Sequence, residues 1–234
     1  MRAKGPRRPA VVAIIAAAGQ GRRSGLRLPK QFLRIGGRTL LEHAVSRLAG
    51  HPEVDAVVVV VPAGRLAWAE RRIGRAAKVA AVVPGGARRQ DSVEHGLRAD
   101  PARRAEIVVI HDAARPLVSS AVISAVIRAA RRSGAAVPGV PPSDTVKVVG
   151  RGGRVVRTLP RDTLRMIQTP QAFRASWLRK AYERAASRGM SWTDDASIVE
   201  AAGRPVRVVP GSPESFKVTN PQDLALLRAL VGRR

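Results

Sequence analysis

Val11-Val12-Ala13-Ile14-Ile15-Ala16-Ala17-Ala18-Gly19-Gln20-Gly21-Arg22-Arg23, followed shortly by Leu28-Pro29-Lys30-Gln31, is the stretch on which the reading of this chain turns. Residues 11–17 are a short, β-branched apolar run ending in small residues, as expected of a strand buried on both faces. Gly19 and Gly21 then let the backbone turn tightly with its amides exposed, which suits a phosphate chain. Arg23 and Lys30 are placed to reach the same phosphates, the arginine as a planar fork and the lysine as a point charge. A dinucleotide-binding fingerprint asks for more. Its third glycine is Ser24 here, its acidic residue after the second strand is replaced by Val61-Pro62, and Pro29 interrupts the helix it should open.

Towards the N-terminus, Arg2, Lys4, Arg7 and Arg8 precede the strand, and Ala16-Ala17-Ala18 has the look of a signal-peptidase site. The phosphate loop needs that strand, so residues 1–9 read as a basic disordered tail and residues 10–234 as a single domain. No uncharged apolar stretch is long enough to span a membrane, and no membrane partner is expected.

Towards the C-terminus the pattern repeats. Thr39 is placed to cap a helix through Leu40, Leu41, Val45 and Leu48 that stops at Gly50. Ala56–Val61 reads as a second buried strand ended by Pro62. Helical spacing over Leu66–Ile73, strands at 79–83 and 107–110, and a short helix around 92–97 follow, with the turn Gly85-Gly86 between. Ser119 opens a helix over 121–131 that yields at Gly134 to the strand-like Ala135–Val140. The alternation predicts an α/β fold, a Rossmann-like, mostly parallel sheet with helices on both faces. Ligands of such sheets bind beyond the strands' carboxyl ends, so the loops at 16–30, 85–92 and 111–116 are the expected functional ones.

Residues 141–160 break the rhythm. Two β-prone segments, 145–149 and 155–159, flank Gly150-Arg151-Gly152-Gly153 and read as a projecting hairpin arm that no helix covers. An isolated hairpin is marginal in water, so this one is expected to pack on another subunit. Arg151-Gly152-Gly153 is a single copy at a turn and is read as a turn, not an RNA-binding element. Beyond the arm come a helix over 177–186, a Thr193-capped helix over 198–202, a strand at 206–209 and a last helix after Pro221.

The chain has no cysteine, which excludes disulfides, zinc–thiolate sites and cysteine nucleophiles and fits a reducing cytoplasm. Its formal net charge is +25. The cations are mostly arginines spread over ordinary helix faces, such as Arg128, Arg131 and Arg179. With aromatics at 3%, few platforms exist for stacking bases. The charge suits polyanionic substrates, and nucleic acid is not an expected partner.

The run His111-Asp112-Ala113-Ala114-Arg115-Pro116 follows directly on a strand. Asp112 at the strand's carboxyl end could hold Mg²⁺ directly or through waters, or hydrogen-bond its own turn. His111 reads as structural, having no second histidine at metal-pair spacing.

With these blocks in order, the chain closely resembles the 2-C-methyl-D-erythritol 4-phosphate cytidylyltransferase family of the non-mevalonate isoprenoid route. The resemblance runs from the first strand to the last helix. It makes the domain a nucleotidyltransferase, and Ala17, Ala18, Gly19, Gly21, Arg23 and Lys30 part of a CTP-phosphate loop. Gly85, Gly86, Arg89 and Ser92 match its cytosine-reading turn, with Asp112 and Ala113 also at the nucleotide. Thr145, Arg161, Thr169-Pro170-Gln171, Thr193-Asp194 and Phe216-Lys217-Val218-Thr219 fall in the expected order. Ala87 stands where some relatives carry an aspartate, so any side-chain contact from there to the base is lost.

The resemblance implies CTP and methylerythritol phosphate as substrates, Mg²⁺ as cofactor with Asp112 beside it, and a homodimer joined through the β-arm. Arg23 and Lys30 would stabilise charge on the α-phosphate and leaving pyrophosphate. Arg161 and Lys217 would grip the attacking phosphate, while Arg115, Thr145, Thr169 and Thr193 would place the acceptor. Thr145 and Arg161 would complete the partner's site. A related enzyme uses ribitol 5-phosphate with similar loops. Family members are sometimes fused to a cyclase, and a chain ending at Arg234 is expected to lack that second activity.

Overall fold

The computed structural model describes residues 10–19, 29–186, 190 and 192–232. Gly21 and Arg23, two of the expected phosphate-loop residues, and the basic tail lie outside the described residues.

Four strands form the parallel half of the main sheet. They are β1 (Val11–Ala16), β4 (Ala56–Val61), β5 (Val79–Pro84) and β6 (Ile107–Asp112). They lie side by side in the order β5-β4-β1-β6, all parallel. The direction of strand growth reverses between β1 and β6, so the switch point falls between their carboxyl ends. A small hairpin of β2 (Arg34–Ile35) and β3 (Arg38–Thr39) leads into α1 (Leu40–Ala49). Thr39 caps that helix as the sequence predicts. Its hydroxyl accepts from the Glu42 amide at 3.1 Å while Glu42 Oε2 accepts from the Thr39 amide at 2.7 Å.

The other half of the sheet is mixed. β7 (Ala135–Val140) carries β12 (Arg207–Pro210) parallel on one edge. Its other edge takes β10 (Met166–Ile167) and β11 (Gln171–Arg174), both antiparallel, and β11 pairs in turn with β6. A strand running against its neighbours thus sits inside a sheet that the sequence reads as mostly parallel. Its four residues, three of them buried, are too few to show alternation.

Alternate residues of β1 face opposite layers, as strand geometry requires. Val11, Ala13 and Ile15 join Leu41, Val45 and Leu48 of α1, Ala69 and Ile73 of α2 (Leu66–Ile73), and Ile123 and Ile127 of α5 (Ser120–Ser133). Val12 and Ile14 join Val93 and Leu97 of α3 (Arg89–Arg98), Ala102 of α4 (Asp100–Arg104), Leu178 of α6 (Ala175–Ala186) and Ile198 of α7 (Asp195–Ala201). The helices on both faces agree with the sequence. A third cluster seats α8 (Pro221–Val231), through Leu224 and Leu227, on Ile35, Leu40 and Leu117.

The arm is present and shorter than expected. Among the described residues β8 (Lys147–Val149) and β9 (Val155–Thr158) pair antiparallel only with each other, and Thr145 and Leu159 fall outside these strands. The helix cap expected at Thr193 belongs to Asp194 instead, whose carboxylate accepts from the Ser197 amide at 3.0 Å. Aspartate is the stronger acceptor for a helix N-terminus, and the helix starts three residues before the expected position.

Candidate active site

Strand register decides which loops meet. Ala16 of β1 pairs with Asp112 of β6, so the phosphate loop and the 112–116 run leave the sheet as neighbours. The Ala113 amide donates back to Ala16 O at 3.2 Å. Gln31, in the short 3-10 turn Lys30–Phe32, is buried and donates to Ala17 O and Gly19 O, both at 2.7 Å. That side chain ties the two ends of the phosphate loop together and sets Lys30 at its rim. Lys30 also reaches the N-terminus of α8 with its field. Burial raises the Asp223 carboxyl, but bonds from Thr219 and Asn220 together with the charge of Lys30 hold it below its ordinary value.

The glycine turn packs directly on this loop. A Cβ on Gly85 would lie 2.2 Å from the Ala18 methyl and 2.8 Å from Ser92 Oγ, so only glycine fits there. The Gly86 amide donates to Ser92 Oγ at 3.1 Å, and that hydroxyl donates to Arg88 O at 3.0 Å. Ser92 is buried, and in this structure its hydroxyl shapes the turn.

Asp112 is the electrostatic centre. Arg89 Nε donates to its Oδ1 at 3.0 Å, and Lys217 Nζ donates to its Oδ2 at 2.6 Å. Burial pushes the Asp112 carboxyl up, but Arg89 and Lys217 outweigh it and hold the group well below the usual carboxylate range. Arg89 also lies 2.8 Å, through Nη2, from Oδ2 of the fully buried Asp195. Asp195 in turn accepts the Tyr182 hydroxyl on Oδ1 at 2.6 Å. Burial works against the Arg89 charge, yet Asp195 and Asp112 raise its pKa well above the ordinary value.

A second set of bonds holds Asp112 from below. Thr169 Oγ1 accepts from the Asp112 amide at 3.0 Å and donates to His111 Nδ1 at 3.1 Å. His111 Nε2 then donates to Arg115 O at 3.0 Å, which fixes the tautomer. Burial pushes the His111 pKa down to about 4, so the ring is neutral near pH 7. Arg115 donates to Ser215 O at 2.7 Å, and the Val218 amide to Ala114 O at 2.9 Å, which docks the segment that carries Lys217.

Among the described residues, no group of three or more His, Asp or Glu side chains is arranged to hold a metal. Both oxygens of Asp112 are already answered by cations. The carboxylate therefore does not fit direct coordination of Mg²⁺ in this arrangement.

The structure thus brings Ala17, Ala18, Gly19, Lys30, Gly85, Gly86, Ser92, Asp112, Ala113, Arg115, Thr169 and Lys217 around the carboxyl ends of β1, β5 and β6. Three expected residues are not among them. Thr145 is exposed beside the arm, and the exposed Arg161 donates to Ser143 O at 3.2 Å. Thr193 is exposed in the bend before α7. Sequence reasoning gave no role to Gln31, Asp195 or Tyr182, and placed Arg89 only by resemblance. Nothing in a linear pattern marks Tyr182 and Asp195 as partners of a residue on α3.

Fold and site together are those of an α/β nucleotidyltransferase, and comparison with known proteins narrows the class. The profile described as 2-C-methyl-D-erythritol 4-phosphate cytidylyltransferase matches residues 11–233. Relatives of that name from Desulforamulus reducens and Pelotomaculum thermopropionicum are 44% and 46% identical, over 96% of this chain and 97% and 95% of theirs. The crystal structure of the Thermus thermophilus enzyme of that name superposes with a TM-score of 0.77 at 38% identity, covering 94% of this chain and 98% of that one. The chain belongs to the 2-C-methyl-D-erythritol 4-phosphate cytidylyltransferase family.

Proposed function

We propose that this protein transfers the CMP part of CTP to 2-C-methyl-D-erythritol 4-phosphate, a step of the non-mevalonate isoprenoid route. The products are 4-diphosphocytidyl-2-C-methyl-D-erythritol and pyrophosphate. The observation that carries the reading is the Lys217–Asp112 bond at the switch point. It sets a cation from the far end of the chain beside the loops at 17–19 and 85–86.

A phosphate oxygen of the acceptor attacks the α-phosphorus of CTP. The new P–O bond forms as the α–β bridge breaks, and pyrophosphate leaves with the electron pair. The second pKa of a phosphate monoester is about 6, so the nucleophile is ionised at neutral pH and needs no general base. His111, neutral and bonded through both nitrogens, is accordingly not asked to be one. The work left for the protein is to bring polyanions together and stabilise charge as it moves. In this reading Lys30 meets the leaving pyrophosphate and Lys217 the acceptor phosphate, while the role that the resemblance gives Arg23 lies outside the described residues. Mg²⁺ would enter with the triphosphate and offset its charge, since both oxygens of Asp112 are taken by Arg89 and Lys217.

The exposed valines of the arm support a homodimer in which Thr145 and Arg161 complete the partner's site. Val149, Val155 and Val156 are 55%, 52% and 65% exposed in the single subunit. Among the described residues no helix is long and apolar enough to cross a membrane. Consumption of CTP and the cysteine-free sequence suit the cytoplasm.

Pyrophosphate release from CTP and Mg²⁺ tests the reading, with methylerythritol phosphate and ribitol 5-phosphate compared as acceptors. Preferential release with ribitol phosphate would overturn the acceptor, and no release with either would overturn the reaction.

A further inference from the structure

Asp195 is fully buried, and the reaction as described makes no use of it. A free guanidinium tends to grip one carboxylate through two parallel bonds. Arg89 does not do so. Its Nε goes to Oδ1 of Asp112 and its Nη2 to Oδ2 of Asp195, which leaves Oδ2 of Asp112 for Lys217. The result is a neutral row of alternating charges, Asp195, Arg89, Asp112 and Lys217, with the Tyr182 hydroxyl closing its buried end.

The buried end is bolted to the sheet. Gln171 of β11 accepts from the Ala196 amide at 3.1 Å and donates to Asp194 Oδ2 at 2.8 Å, so the start of α7 cannot drift. We propose that Asp195 is a positioning residue for the acceptor-side cation. By holding one side of Arg89 it keeps Asp112 shared, and so fixes where the Lys217 ammonium stands. The inference rests on the proposed transferase reaction for its kinetic consequence, not for its geometry.

Removing one partner of a buried ion pair leaves the other charge unanswered, so Asp195→Asn should cost stability whichever role Asp195 plays. A loss confined to the acceptor side and running through Lys217 is what a folding role alone would not give. If Asp195 is a positioning residue, its loss of charge lets Arg89 turn onto both oxygens of Asp112 and expel Lys217.

The test uses the full chain. Asp195→Asn should raise the acceptor KM about tenfold, as the loss of a charge-assisted contact does, with the CTP KM within about twofold. Tyr182→Phe should shift the acceptor KM the same way by less, and serves if the first variant does not fold. In a Lys217→Gln background neither change should move the acceptor KM further, because the effect runs through Lys217. Independently of turnover, acetylation of Lys217 by acetic anhydride, followed by mass spectrometry, should be several-fold faster in Asp195→Asn than in the parent. Unchanged acceptor KM and unchanged acetylation overturn the inference, as do equal losses for both substrates that persist beside Lys217→Gln. Failure of the parent to turn over would sink the proposed reaction alone, and the acetylation rate would still decide this point.

Discussion

Asp112 and Val156 show two regions of one subunit built in different ways. Asp112 is 7% exposed and meets Lys217 and Arg89 at 2.6 and 3.0 Å, with Thr169 bonded to its amide. Val156 is 65% exposed on a hairpin whose strands, among the described residues, pair only with each other. In the first region Asp112 is answered within the subunit by Arg89 and Lys217. The second leaves apolar surface uncovered and holds Arg161, a cation the proposed reaction would use, exposed beside it. In the proposed homodimer the second region completes the partner's site, and that difference orders the expected effects of breaking each part.

The largest effect should follow removal of the arm. Replacing residues 146–158 by a short glycine turn should give a monomer with near-background turnover, read by light scattering and pyrophosphate release. A fully active monomer would erase the contrast between the two regions. Short of deletion, Arg161→Gln should raise the acceptor KM and lower kcat. Because a phosphate clamp works at contact distance, this defect should persist at high salt.

Next comes Lys30, at the rim of the first region. Lys30→Ala should lower kcat by ~10²–10³, the usual effect of losing one preorganised electrostatic group, with folding little changed. Normal turnover in a folded variant would remove Lys30 from the leaving-group role.

The buried support under Asp112 should show in stability. Burial holds the His111 pKa at about 4, below the value near 6.5 it has when unfolded. Between these values the unfolded chain binds a proton that the folded one refuses, so stability rises with pH across the window and falls as pH drops through it. Urea denaturation at pH 5 should give a folding free energy about 2 kcal/mol smaller than at pH 7 from this group. The carboxylate of Asp112 contributes outside that window. Its pKa is depressed, so its stabilisation is lost only as pH falls below the ordinary carboxylate range. A flat profile from pH 7 to 5 would mean that His111 is not held neutral.

What was legible in the sequence follows the same division. Runs such as Val11–Ala16 and Ala56–Val61 are buried on both faces and carry their assignment in composition alone, and the parallel half of the sheet was read from them. Gly85 was legible as a turn glycine, and the Ala18 methyl and Ser92 hydroxyl that crowd it leave no room for another residue. The antiparallel β11 was not, since four residues give no period and their partners lie more than thirty positions away. The charge row was hidden for a related reason. Arg89, Asp112, Asp195 and Lys217 come from four separate segments, and only the folded sheet sets them in line.

The smallest effect should come from cations that belong to neither region. Arg128, Arg131 and Arg132 lie on the last turns of α5. That helix starts near the carboxyl end of β6 and returns to the start of β7, so its last turns sit at the opposite end of the sheet from Asp112. Arg128 and Arg131 face Glu53 at 3.9 and 3.4 Å and are 57% and 47% exposed. Exposed pairs of this kind contribute roughly 0–1 kcal/mol, so changing all three arginines to Gln should leave the fold intact. Their influence on two polyanionic substrates is then a long-range field alone. It should leave kcat within about twofold, and any fall in kcat/KM should fade at ~0.5 M salt, where the screening length is well below ~8 Å. If the triple change instead lowers kcat strongly at high salt, the acceptor site lies at the amino ends of the strands and the division between the two regions fails.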